Sequence, residues 1–144
     1  MVMANITAQS IKFGSNEFGV ISITSGIDKN SNSFGLQLIS GAKYVGLNFQ
    51  YSNDRPILVG SFGAVLTSGY FETCRTLIGV RLGFTRRGEK YNYPLFGFET
   101  GFERDIDNLI LGLKLEYDYR SDLKFDTKKE NYELGLFLKI GYKF

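Results

Sequence analysis

The segment Tyr132-Glu133-Leu134-Gly135-Leu136-Phe137-Leu138-Lys139-Ile140-Gly141-Tyr142-Lys143-Phe144 decides the fold. Tyr132, Leu134, Leu136, Leu138, Ile140, Tyr142 and Phe144 share one face, while Glu133, Gly135, Phe137, Lys139, Gly141 and Lys143 share the other. A period of two is the signature of a β-strand, because successive side chains point to opposite sides of the backbone. Upstream, Leu109, Leu111, Leu113, Leu115, Tyr117 and Tyr119 alternate with Ile110, Gly112, Lys114, Glu116, Asp118 and Arg120. Phe96, Phe98 and Phe102 alternate with Gly97, Glu99, Gly101 and Glu103, and Ile78, Val80, Leu82 and Phe84 with Gly79, Arg81, Gly83 and Thr85.

Toward the N-terminus the pattern loosens. Leu58, Phe62, Leu66 and Tyr70 mark one face of a strand over 56–71; Val45, Leu47, Phe49 and Tyr51 mark another, and Phe34, Leu36 and Leu38 a third. A first strand over 18–27 has no clear facing. Turn-forming residues separate these runs. Connections at 28–32, 52–55, 86–92 and 121–131 read as long or polar, and those at 40–43, 72–74 and 105–108 as tight. Long and tight alternate, as in an up-and-down barrel with loops at one end and turns at the other. The glycines of Tyr44-Val45-Gly46-Leu47, Leu77-Ile78-Gly79-Val80 and Ile110-Leu111-Gly112-Leu113 recur every 33 residues, so one period is one hairpin with its loop. The expectation is an all-β, eight-stranded antiparallel up-and-down transmembrane β-barrel over 17–144, preceded by an extended or partly stranded segment over 1–16. A second register is open: a strand over 6–13, a turn at 14–17 and one long bulged strand over 33–51, which also totals eight.

Composition agrees with an ordered all-β domain. Of 144 residues, 43% are hydrophobic and 15% aromatic, with 17 Gly, 2 Pro and no Trp. A net charge of +2 supplies no field for nucleic acid. No run of about 18 apolar residues is present, which excludes a transmembrane helix but not a barrel, whose strands need only about 9–11 alternating residues. Met1-Val2-Met3-Ala4 runs directly into polar residues, without the apolar core of a secretory leader. An exported protein needs one, so the expectation is a mature form with a replacement start; otherwise the membrane reading fails. Cys74 is alone and reads as an incidental side chain near a turn.

Alternation does not say which face meets solvent. A soluble barrel for an apolar ligand would turn the apolar face inward. The polar face here combines Gly46, Gly79, Gly83, Gly97, Gly101, Gly112, Gly135 and Gly141 with isolated charges. Glycine weakens an exposed strand, whereas a narrow lumen needs small residues beside a few long ones. The apolar face is mostly Leu, Ile, Val and Phe, with Tyr51, Tyr117 and Tyr119 toward one rim and Tyr142 and Phe144 at the other, as in aromatic girdles. The charges must then pair inside the barrel. Counting across the turns gathers Arg81, Glu99, Lys114, Glu116 and Lys139 into one network, with Arg81 near Glu99, Glu99 near Lys114 and Lys114 near Lys139.

The last strand resembles the C-terminal signal of bacterial outer-membrane proteins, carried by Leu138, Ile140, Tyr142 and Phe144. The whole is similar to small eight-stranded outer-membrane barrels such as the outer-membrane protein A transmembrane domain and its smaller relatives. The missing leader, absent Trp and weak first strand depart from that pattern. The resemblance implies a bacterial outer-membrane location, a monomer, lipid and lipopolysaccharide as neighbours, and recognition by the barrel-assembly machinery during biogenesis.

The chain has no His, which removes Ser-His-Asp and Cys-His catalysis and most metal centres. The enzymes of the resembled family mostly use a catalytic His, so none of their activities carries over. Glu99 with Glu103, and Glu116 with Asp118, share a face, but carboxylates in a narrow barrel serve as partners for Arg and Lys rather than as an acid–base pair. No glycine-rich loop precedes a helix, so nucleotide binding is unsupported. No catalytic residue, cofactor or metal is expected. The run Arg86-Arg87-Gly88-Glu89-Lys90 and the segment 124–130 read as solvated loops, or as contacts for lipopolysaccharide. The expected function is structural or surface-interacting; the alternatives are a soluble barrel binding an apolar ligand and a narrow, porin-like small-solute channel.

Overall fold

The computed structural model describes residues 12–14, 19–28, 31–52, 55–71, 73–88, 91–125 and 131–144. They form a short strand β1 (Lys12–Gly14), then β2 (Gly19–Asp28), β3 (Ser31–Ser40), β4 (Lys43–Ser52), β5 (Arg55–Phe71), β6 (Cys74–Arg87), β7 (Tyr91–Ile106), β8 (Leu109–Arg120), a 3-10 turn η1 (Ser121–Phe125) and β9 (Tyr132–Lys143). Strands β2 to β9 pair antiparallel with their chain neighbours. β9 also pairs with β2, and the cylinder closes. Gly19 and Phe144 fasten that seam with reciprocal backbone bonds of 3.0 Å. The result is an eight-stranded up-and-down barrel.

The strands are steeply tilted. A path across paired residues from Gly19 runs through Ser40, Lys43, Ala64, Val80, Phe98 and Tyr117 to Leu134, one residue from Gly135, the partner of Asp28 at the other end of β2. Such a stagger is what closing eight strands requires. Closure also leaves no unpaired edge along the wall. β5 outreaches β4 at the turn end, and there β1 pairs with Thr67, Ser68 and Gly69.

The connections sort by length differently from the sequence reading. Asp28 pairs with Ser31 and Ser52 with Arg55, so the connections expected to be long at 28–32 and 52–55 are two-residue hairpins. Residues 33–51 are two strands, not one bulged strand: Gly41, at φ +59°, turns β3 back onto β4. Asp107, at φ 54°, does the same between β7 and β8. After β8 the chain forms η1. Of the N-terminal segment expected over 1–16, only β1 falls within the described residues.

Facing follows the alternation. The Leu138 side chain is 63% exposed and Leu113 51%, whereas Lys139 and Arg81, on the opposite faces, are each 1% exposed. The first strand gains its facing here: Ile21, Ile23 and Ile27 point out, while Val20, Ser22 and Thr24 point in. Room inside comes from glycine. Across the ladders, Arg81 sits opposite Gly63 and Gly97, Lys114 opposite Gly101, Glu116 opposite Gly135, Glu99 opposite Gly79, and Lys139 and Glu103 opposite Gly112. A Cβ on Gly97 would lie 2.1 Å from the Asp118 carboxylate and 2.5 Å from the Tyr117 carbonyl oxygen. Gly97→Ala therefore forces the backbone of β8 and the Asp118 side chain to move. We expect it to cost about 1–3 kcal/mol, read as a lower urea midpoint of the refolded protein.

Candidate functional site

The lumen holds three groups of ion pairs stacked along its axis. At the turn end, Lys139 Nζ lies 2.5 Å from Glu103 Oε1, and Arg75 Nε lies 2.8 Å from Glu103 Oε2. Arg75 also reaches Asp105 at 3.4 Å, and Lys143 reaches Asp105 at 3.1 Å. In the middle, Arg81 pairs with Glu116 and, at 3.5 Å, with Asp118. Lys114 Nζ is 2.5 Å from Glu116 and 3.8 Å from Glu99. At the loop end, Arg120 pairs with Glu133 and with Asp122, and Asp122 accepts a 2.6 Å bond from Arg87 Nε.

Parity and tilt explain the grouping. Some partners on neighbouring strands meet diagonally, two positions from the directly paired residue, as Lys114 and Glu99 do, whereas Arg75 and Glu103 are directly paired. Arg81 is directly paired with Gly97, not with Glu99 as counting across the turn suggests, and its carboxylates come from β8, one strand beyond. Glu99 instead meets Lys114 and the amide of Gln37 at 3.3 Å. Lys139 stands apart from the group of Arg81, Glu99, Lys114 and Glu116; its partner is Glu103. The sequence reading leaves Arg75, Arg87, Arg120, Asp122 and Glu133 out of any network. The alternation of β8 already placed Arg120 on the inward face, but nothing local reveals that η1 folds back to bring Asp122 to it.

Among residues whose side chains are described, every ion pair lies within β6–β9 and η1. Among the residues whose side chains are described, the opposite wall contributes neutral groups. It offers Ser22, Thr24, Gln37, Asn48 and Ser61, with Ser61 accepting from Arg81 at 3.4 Å and bonded to the Tyr44 hydroxyl at 2.5 Å. Inward apolar residues come from both walls. Val20, Ile39, Tyr44, Val65, Leu77 and Ile110 form one buried cluster, and Ile57, Val59 and Leu95 a second. Phe137, on the polar face of its strand, is 1% exposed, and Lys114 Nζ sits 5.3 Å from its ring centroid.

Aromatic residues stand along the outer face, Phe62 and Phe98 in mid-strand, and some of them make ring contacts near the loop end. Phe96 stacks on Tyr119 with centroids 5.0 Å apart, Tyr117 stacks on Tyr132 at 5.5 Å, and Tyr132 meets Tyr119 edge-on at 5.4 Å. All four adjoin the loop end. Tyr142 and Phe144 stand exposed at the turn end. The side chain of Tyr51 lies outside the described residues; its backbone pairs with Asn32 and Pro56. Leu138 and Ile140 lie on the exposed face of β9.

No protein-family model and no curated protein sequence matches the chain. Solved structures do. The N-terminal β-barrel domain of Pseudomonas aeruginosa OprF superposes with a TM-score of 0.61 at 12% identity, over 89% of this chain and 99% of that one. A de novo designed transmembrane β-barrel matches with a TM-score of 0.56 at 14% identity, over 88% of this chain and 95% of that one. The Yersinia pestis outer membrane protein Ail matches with a TM-score of 0.50 at 16% identity, over 90% and 100%.

The chain has the fold of the small transmembrane β-barrels. In that fold the lumen is too narrow to stay empty and is filled by side chains.

Two outcomes test the interior. Removing one charge orphans its buried partners, so Glu116→Gln, which strips both Arg81 and Lys114 of an ion pair, should cost about 3–5 kcal/mol. Urea unfolding of the refolded barrel measures it. At the loop end, burial alone would raise the Asp122 carboxyl, but the bonds and charge of Arg120, then of Arg87, hold it below its ordinary value of 3.8. A depressed folded-state value means stabilisation that is complete above about pH 3.9 and is lost as pH falls through the lowered value. The difference in melting temperature between the protein and Asp122→Asn should therefore be constant near neutrality and shrink in strong acid. A difference that grows on acidification would contradict the assignment.

Proposed function

We propose that the chain is a non-catalytic, integral barrel of the bacterial outer membrane, structural or surface-contacting in role, with an ion-paired interior that fills rather than conducts. The observation that carries this reading is the inversion of the barrel: apolar side chains outside, charges inside. Among the described residues, thirty-two large apolar side chains are exposed. Full burial of such a side chain contributes about 1.5–3 kcal/mol. Leaving that many half exposed to water forgoes tens of kcal/mol, on the order of several times the ~5–15 kcal/mol net stability of a domain. Hydrocarbon as the outer solvent removes the deficit. A soluble barrel with an apolar pocket needs the reverse arrangement.

The height of the belt supports the same reading. Tyr132 and Tyr142 stand at the two ends of β9. Their separation is about 33 Å along the strand at ~3.3 Å per residue, or roughly 25 Å along the barrel axis at a tilt of about 40°. An outer-membrane barrel presents an apolar band about 25 Å tall between its aromatic girdles. Tyr117, Tyr119, Tyr132 and Phe96 would form one girdle and Tyr142 with Phe144 the other. Arg86 and Lys124 are exposed at the loop end, and in this reading they would meet the phosphates of lipopolysaccharide. Leu138, Ile140, Tyr142 and Phe144 serve in this reading as the strand presented to the assembly machinery, and the protein is a monomer.

Leu113→Arg separates the two solvents. It sits mid-strand on the outer face of β8. In a bilayer it should cost about 2–4 kcal/mol of folding free energy, measured by refolding into phosphatidylcholine vesicles. In water an arginine there would be neutral or favourable. An unchanged or raised stability, or release of the native protein from cell membranes by salt without detergent, would overturn the reading.

A further inference from the structure

Each strand junction on the charged side of the barrel has an ion pair to fix its register. Arg75 meets Glu103 between β6 and β7, Lys114 meets Glu99 between β7 and β8, and Arg120 meets Glu133 between β8 and β9. The seam where β9 meets β2 is different: among the described side chains, no ion pair reaches β2. A slip of one residue there would exchange the two faces, but a slip of two would keep them, so alternation does not forbid it. Another feature must set the register at which the cylinder closes.

Two glycines and two phenylalanines meet along the seam. Gly19 and Gly26 are the glycines of β2, seven positions apart; Phe137 in β9 and Phe144 just beyond its end are also seven apart. Seven is odd, so each set places one residue on each face of the wall. Antiparallel pairing brings both sets together at once: Gly19 exchanges backbone bonds with Phe144, and Gly26 is paired directly with Phe137. Outside, the Phe144 ring lies over Gly19. A Cβ there would stand 2.6 Å from Cε2 and Cζ of that ring, and the three nearest atoms it would meet all belong to it. Inside, a Cβ on Gly26 would stand 2.6 Å from Cδ1 of Phe137, whose side chain is 1% exposed, and would press on the Leu136 carbonyl oxygen. A slip of two residues brings Thr24 or Asp28 opposite Phe137 in place of Gly26, and both carry the Cβ that the ring excludes. The same fit recurs within the wall, where the Phe84 ring would stand 2.7 Å from a Cβ on its direct partner Gly60.

We propose that these two glycine–phenylalanine contacts form a two-point key by which β2 and β9 recognise each other, and that the key selects the register in which the barrel closes. One point lies on the outer face at the turn end and the other on the inner face toward the loop end, and the matched spacing of seven lets a single register satisfy both. The key fits one edge of β9. Across its other edge Phe137 is paired with Lys114, not with a glycine. This inference rests on the ladders and holds whichever solvent surrounds the barrel.

Two measurements on the protein refolded in detergent micelles test it. The first is a mutant cycle at the outer point. Gly19→Ala should lower the folding constant from urea titration about threefold, the size of one cross-strand side-chain pair. In a Phe144→Ala background the same change should be neutral or stabilising, because alanine with no ring to meet is the better strand residue. An equal loss in both backgrounds overturns the outer point. The second reads the register by disulfide formation in a Cys74→Ser background. Ile23 is paired directly with Ile140, at a Cα separation of about 4.5–5.5 Å that a disulfide spans. Leu138 and Tyr142 are its diagonal neighbours, roughly 7–8 Å away. Ile23→Cys with Ile140→Cys should therefore oxidise about tenfold faster than Ile23→Cys with Leu138→Cys or with Tyr142→Cys. Removing both rings, by Phe137→Ala with Phe144→Ala, should cut that preference about threefold at unchanged strand circular dichroism. A preference absent while the key is intact, or unchanged once both rings are gone, overturns the key. If loss of both rings prevents folding, the cycle at Gly19 decides alone.

Discussion

A charge inside a closed, narrow barrel can find a partner only across the lumen or diagonally along its own wall. That constraint organises the molecule. It requires the long inward side chains to be opposite something small, and glycines stand opposite Arg81, Glu99, Lys114, Glu116 and Lys139 in the ladders. It also ties the register of every strand to its neighbours. A slip of one residue would turn the leucines of β8 inward and Lys114 and Glu116 outward, exchanging the two faces wholesale. The apolar belt and the ion-paired interior are therefore one feature seen from two sides.

How legible this was in the sequence depended on contrast between the two faces. In β6–β9 each strand opposes apolar residues to glycines and charges, and the period of two stands out. In β2–β5 many of the described inward residues are themselves apolar: Val20, Ile39, Tyr44, Ile57, Val59 and Val65 share their strands with outward Ile, Leu and Phe. Alternation between apolar and apolar leaves little trace, so the first strand had no readable facing and 33–51 admitted a single-strand reading. Polar residues at 28–32 and 52–55 suggest long connections, but Asp28 pairs with Ser31 and Ser52 with Arg55. Asn, Asp, Ser and Lys also populate two-residue turns.

Alternation puts Arg81, Glu99, Lys114, Glu116 and Lys139 on inward faces, but neither their partners nor the other members of the ion-paired groups follow from it. Partnership depends on the stagger between strands and on side-chain length, which together carry Arg81 past Glu99 to Glu116. The pairing of Asp122 with Arg120 and Arg87 leaves no trace in the pattern, because Asp122 follows the last residue of β8, where no periodicity assigns a direction.

The division of the lumen into a charged and a neutral wall has an energetic consequence. An ion pair held by one partner across the bore would depend on the position of the whole opposite wall, and a small displacement there would leave a buried charge uncompensated. Among the described side chains, the charges are compensated within four contiguous strands and the turn η1. The neutral wall contributes hydrogen bonds and volume, as Gln37 and Ser61 do. Such contacts tolerate displacement at a cost of about 1 kcal/mol each rather than the several kcal/mol of an orphaned ion. The steep, geometry-sensitive part of the interior is thus confined to half of the barrel. The other half meets it through the softer of the two kinds of contact, which is where a closed sheet can absorb the strain of curvature without unpairing a charge.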